Sequence, residues 1–77
     1  MTNDITVTQT WQKITDGEGV VIQNKSTNLV EIATVPSGSS PSSGFLLRGL
    51  DVFSYPGGLE VWVRSVKQSI ITIDKVS

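Results

Sequence analysis

Apolar and polar residues alternate in short runs along the whole chain, and turn-forming residues separate the runs. Ile5, Val7 and Trp11 fall on one side of an extended segment, residues 5–11, whose other side carries Thr6, Thr8 and Thr10. Threonine suits a wet strand face, because its branched Cβ packs while its hydroxyl stays solvated. Asp16-Gly17 then offers a turn. Two further runs, Gly19–Asn24 and Leu29–Val35, flank Lys25-Ser26-Thr27-Asn28. They predict the clearest hairpin in the chain, with Val20 and Ile22 on the same core face as Val30 and Ile32.

Residues 36–44 are entirely Ser, Gly and Pro. A segment of this composition is predicted to be a long, flexible surface loop. Extended runs resume at Phe45–Arg48 and at Val52–Tyr55, with a bend expected at Gly49-Leu50-Asp51, and Pro56-Gly57-Gly58 is a strong turn signal. Leu59–Ser65 is the best single strand, with Leu59, Val61 and Val63 facing one way and Glu60, Trp62 and Arg64 the other. Val66-Lys67-Gln68 turns the chain into a last strand, Ser69–Asp74. No window carries helical spacing. About seven short strands at regular intervals predict an all-β fold, a small antiparallel β-sandwich or barrel that is jelly-roll-like. Residues 1–77 form one domain, with the loop at 36–44 as its only long connection.

Composition sharpens this. The chain has 77 residues and contains neither His nor Cys. That removes imidazole bases, thiolate nucleophiles, disulfides and the usual zinc ligands. Below about 70–80 residues, a core commonly needs a staple such as a disulfide, a metal or a partner subunit. Elimination leaves oligomerisation or docking onto a larger partner. The net charge is −1, and the six cations are scattered rather than striped. Neither nucleic acid nor a membrane is therefore expected as a partner. No cofactor is expected.

Candidate chemistry is sparse. A nucleophilic Ser needs a base to take its proton, and the serines crowd into the loop at 36–44, where no geometry is held. Asp16 and Glu18 flank Gly17 as in a fragment of a calcium loop, but the further oxygen ligands are missing, so a solvated turn is the better reading. Gly57-Gly58 and Gly17-Glu18-Gly19 precede no helix that would hold a phosphate. Of the aromatics, Phe45 and Phe53 read as core, whereas Trp62 lies on the second face of its strand, as either an outer packing layer or an interface anchor.

The order of these signals resembles a group of short tailed-bacteriophage virion proteins. The resemblance is carried by Trp11, by Val21-Ile22-Gln23-Asn24-Lys25-Ser26 followed by Val30-Glu31-Ile32-Ala33, by Gly44-Phe45-Leu46-Leu47, and by Val61-Trp62-Val63-Arg64-Ser65, and it spans about residues 11–65. Arg48-Gly49-Leu50-Asp51 stands where such proteins often have a Pro-Gly-Glu turn. The resemblance implies a compact, non-enzymatic β-sandwich of the virion, made in the host cytoplasm, that decorates or cements the capsid. It acts as a homo-oligomer or through other virion proteins such as the major capsid protein. A tail, collar or fibre-base component is the close alternative, and a soluble binding or inhibitor module is a third. The expected interface residues are Trp62, Leu59, Phe53 and Arg64.

Overall fold

The computed structural model of the chain describes residues 2–76. It contains eight strands: β1 (Thr2–Val7), β2 (Gln12–Thr15), β3 (Gly19–Asn24), β4 (Val30–Val35), β5 (Phe45–Leu47), β6 (Val52–Tyr55), β7 (Glu60–Ser65) and β8 (Ser69–Val76). They form two four-stranded sheets with the orders β1-β8-β3-β6 and β2-β7-β4-β5, and every pairing is antiparallel. Packed face to face, the sheets make the expected β-sandwich.

The pairings are nested. β4 pairs with β5, β3 with β6, β2 with β7 and β1 with β8. The chain is thus one long two-stranded ribbon, folded back at residues 36–44 and rolled up so that β4 meets β7 and β3 meets β8. This is the jelly-roll topology. Its consequence is that only the β4–β5 connection stays within one sheet; the other six connections cross between sheets.

Three expectations are corrected by this topology. Residues 5–11 are not one strand. The chain leaves the first sheet after Val7, and the Thr8 carbonyl accepts a hydrogen bond from the Ser65 N–H (2.8 Å) as the corner begins. Trp11 therefore does not share a face with Ile5 and Val7. Second, Gly19–Asn24 and Val30–Val35 do not form a hairpin but lie in opposite sheets. Val20, Ile22, Val30 and Ile32 do share the core, but across it rather than side by side. Third, Leu59 is not on the core face of β7; it precedes the strand and is 38% exposed.

The core comprises Val7, Ile14, Val20, Ile22, Val30, Ile32, Leu47, Val61, Val63, Ile71 and Ile73, with Ile5, Phe53 and Tyr55 packed against it. All but Leu47 of the buried set are β-branched. Such side chains have few rotamers to lose on burial, which helps a small core to be well defined.

The corners are stitched by a buried carboxamide. Asn24, fully buried at the end of β3, donates from Nδ2 to the carbonyls of Asn28 (2.6 Å) and Leu47 (2.9 Å). Its Oδ1 accepts from the N–H (3.0 Å) and hydroxyl (2.7 Å) of Ser26. Its backbone exchanges bonds with the next corner: Asn24 N–H donates to the Asp51 carbonyl, and Leu50 N–H to the Asn24 carbonyl. Asn24→Ala is expected to remove the side-chain donor of the Leu47 carbonyl, to leave the part-buried Asn28 carbonyl only the longer bond from the Ser26 hydroxyl (3.3 Å), and to cost about 2–4 kcal/mol, measured by urea unfolding.

At the start of β5, Gly44 lies against β4, where a Cβ would collide with the Ile32 carbonyl. Gly44→Ala is expected to break the β4–β5 pairing locally and to lower stability by roughly 2 kcal/mol or more, with amide exchange at Phe45–Leu47 accelerated first.

Candidate interaction surface

Because the inward positions of β7 fill the core, its outward positions Glu60, Trp62 and Arg64 build a layer on the outer face of the β2-β7-β4-β5 sheet. Register places them in rows. Arg64 lies opposite Glu31, which lies opposite Leu46; Trp62 lies between Lys13 and Ala33; Glu60 lies opposite Val35. Ala33 is the smallest side chain in that layer, which leaves room on one flank of Trp62. Trp62 is half-buried and stands outside the core cluster.

Polar contacts lock this layer. The Trp62 Nε1–H donates to Glu60 Oε1 (3.2 Å), and Glu60 also pairs with Lys13 (3.6 Å), which holds Asp16 at 2.6 Å. In the next row Arg64 Nε donates to Glu31 Oε1 (2.7 Å), and its guanidinium sits 4.4 Å over the ring of Trp11. Cation–π contacts of this kind contribute about 0.5–1 kcal/mol at exposed sites. The Trp11 Nε1–H is buried without a hydrogen-bond partner among the described residues, a cost of order 1–3 kcal/mol. Glu31 Oε2 accepts from the Gly44 N–H (2.7 Å), and Arg64 reaches the Ser42 carbonyl (3.5 Å). The last residues of the 36–44 loop are thus tied to the layer. Lys75 pairs with Glu18 (3.5 Å).

The four residues expected at an interface do not share one surface. Trp62 and Arg64 are neighbours on the outer layer. Phe53 points inward from β6, stacked with Tyr55 (6.2 Å) and tilted against Phe45 (4.9 Å) along one open edge of the sandwich. Leu59 sits at the β6–β7 corner, where its N–H donates to the Tyr55 hydroxyl (3.1 Å). Phe45, expected in the core, is 43% exposed at that edge.

A cleft missed in the sequence opens where the outer layer meets the corners. It has a volume of about 400 Å³, with Leu29, Leu46 and Val66 as apolar walls and Gln9, Glu31, Arg64 and Ser65 between them. Leu29 and Val66 flank corners, and only the strand order brings them beside Leu46 of β5. Among the described residues no group of three or more Asp or Glu side chains is arranged to hold a metal ion.

No protein-family model matches the chain, and no curated protein or solved structure matches it.

Arg64, and after it the Gly44 N–H, hold the Glu31 carboxyl below its ordinary value near 4.5. Lys13 lowers Asp16 in the same way, and the Asp16 N–H lowers Glu18. A depressed carboxylate stabilises the fold above its unfolded pKa and ceases to do so as pH falls through its folded value. The melting temperature is therefore expected to hold from neutral pH down to about 4.5 and to fall below it. Glu31→Gln is expected to melt lower at neutral pH and to lose less on acidification, a pattern that circular dichroism melts across the acid range will test.

Proposed function

We propose that the chain is a non-enzymatic bacteriophage structural protein, a capsid decoration or cementing subunit that works through protein–protein contacts in the virion. The observation that carries this reading is the distribution of apolar surface. Among the described residues, ten large apolar side chains are exposed on a fold whose buried core cluster has eleven members. Scattered exposed apolar residues are ordinary, but grouped ones mark contact surfaces. Leu29, Leu46 and Val66 wall one cleft, beside a layer that presents two partly exposed indoles and a partly exposed guanidinium. Trp and Arg are the side chains in which binding energy concentrates.

Two further points support the reading. The jelly roll recurs among viral capsid proteins, a fold-level analogy. The motifs that resemble the phage group also have structural work in this fold. Asn24 and Ser26 clamp the corner, Gly44 permits the β4–β5 approach, and Trp62 and Arg64 shape the outer layer.

Trp62→Ala tests the contact surface. The variant is expected to unfold cooperatively with a loss of about 1–2 kcal/mol, smaller than the ~3–5 kcal/mol of a core Trp, while its binding to capsids falls at least tenfold. A variant that melts early yet binds capsids normally would place Trp62 in a purely structural role. Mass spectrometry of gradient-purified virions should find the chain in many copies per particle; its absence there overturns the virion assignment.

A further inference from the structure

Four strands border the two sheets, β1 and β6 in one and β2 and β5 in the other. A border strand leaves a row of backbone N–H and C=O groups unpaired, and folds blunt such rows with charge, bulges or brevity. β1 carries Asp4, while β2 carries Lys13 and breaks register between Lys13 and Thr15. β5 has three residues; the Gly44 N–H before it is bonded to Glu31, and its Leu47 carbonyl is taken by Asn24. β6, with the sequence Val52-Phe53-Ser54-Tyr55, has neither a charge nor a register break. Only its four-residue length and Pro56 just beyond it limit what it can pair with.

The open backbone groups of β6 follow from the ladder. Asn24 N–H donates to the Asp51 carbonyl (3.1 Å), and antiparallel pairs alternate between hydrogen-bonded and open. Phe53, opposite Ile22, and Tyr55, opposite Val20, therefore bond to β3. The other side of β3 agrees: Lys25 N–H donates to the Ile70 carbonyl (3.0 Å), which commits Gln23 and Val21 to β8. Val52 and Ser54 thus turn two N–H and two C=O groups to the open side, and no backbone or side-chain group among the described residues bonds to them. Apolar surface flanks this row. Val52 is 58% exposed and Phe45 43% exposed, with the Phe45 ring 4.9 Å from that of Phe53.

Unpaired backbone groups ask for an extended strand, and these four are their own complement. When two copies of β6 run antiparallel about a twofold axis at Phe53, Val52 of each copy lies opposite Ser54 of the other. All four groups then bond reciprocally, and the two Phe53 residues form the open central pair, where side chains approach most closely. Neighbouring registers fail. Centring on Ser54 sets Val52 opposite Pro56, which has no N–H. Centring on Val52 calls on Leu50, whose N–H and carbonyl are held by Asn24 and Gln23. β1 offers no equivalent. Its open residues are Thr2, Asp4 and Thr6, and the register that uses all three sets Asp4 against Asp4 of the other copy.

We propose that β6 pairs with β6 of a second copy in this one register, joining the two β1-β8-β3-β6 sheets into a continuous sheet of eight strands. The contact is isologous, so it closes at two copies. It covers Val52 and the aromatic edge formed by Phe45 and Phe53, and leaves the Trp62 layer free. Strands of four residues give an interface below the ~800 Å² per partner of standard complexes, so the dimer is a weak one.

The test combines sedimentation velocity with residue-resolved amide hydrogen exchange on the full chain, from about 10 μM to about 1 mM. Wild type is expected to pass from monomer to dimer and to grow no further. Exchange at the Val52 and Ser54 amides is expected to slow by about fivefold or more over that range, while Asp4 and Thr6, open amides of β1, stay unchanged. Ser54→Pro removes a donor that faces solvent in the single copy, a place where an edge strand tolerates proline. It deletes two of the four hydrogen bonds across the axis. The variant is expected to keep the wild-type circular dichroism spectrum and to dimerise roughly tenfold or more weakly.

A chain that is monomeric throughout, growth beyond two copies, a dimer without protection at Val52 and Ser54, or a folded Ser54→Pro protein that dimerises like wild type each overturns the proposal. Where Ser54→Pro does not fold, exchange in the wild type decides alone. A monomer found in virions sinks this contact and leaves the virion assignment standing. A dimer of the expected form that is absent from virions does the reverse.

Discussion

Everything in this fold hangs on keeping crossed connections in place, and the Asn24 carboxamide is the group that does it. A jelly roll of this size has few residues to spare for corners, so backbone polar groups at the strand ends are buried with little water to satisfy them. Asn24 answers three of these needs from one side chain, donating to two carbonyls and accepting from the Ser26 N–H, and it takes the Ser26 hydroxyl as well. A buried polar group is costly when half-satisfied and specifying when fully satisfied. Here it joins the β3–β4 corner to β5 and, through its backbone, to the β5–β6 corner. No apolar residue of the same size would fix those elements in register.

Most of the elements were legible in the sequence, and their partners were not. Alternation found β3, β4, β6, β7 and β8 almost to the residue because each buries one face, and a pleated strand writes that burial with a period of two. Turn residues marked every corner except the one between β1 and β2. A turn signal, though, says only that the chain reverses, not whether it returns within its own sheet or crosses to the other. Lys25-Ser26-Thr27-Asn28 therefore looked like a hairpin and is a crossing, whereas residues 36–44, taken for a loose loop, close the single hairpin. Trp11 was misplaced for a related reason: alternation continues in phase through Thr8 and Thr10 while the backbone changes sheets.

The candidate surface divides along the same line. That Trp62 and Arg64 lie off the core face of β7 follows from strand periodicity alone. What holds them does not. Glu31, Trp11 and the Gly44 N–H come from β4, from the chain just before β2 and from the β4–β5 loop, and only the strand order brings them together. The cleft walled by Leu29, Leu46 and Val66 was likewise hidden, because only the strand order sets Leu46 of β5 beside two residues that flank corners.

The nesting of the ribbon bears on how the chain reaches this state. β1 and β8 are nearly the full chain apart in sequence, and pairing them directly would mean closing a long loop before any contact is gained. Rungs that form in order from the 36–44 bend avoid this. Once β4 meets β5, the ends of β3 and β6 are held a few residues apart, and each further rung shortens the search for the next. Closure entropy then grows in small steps rather than in one large one. On that route the serine-rich bend is the point of nucleation, and its length acts on the rate of folding more than on the stability of the folded sandwich.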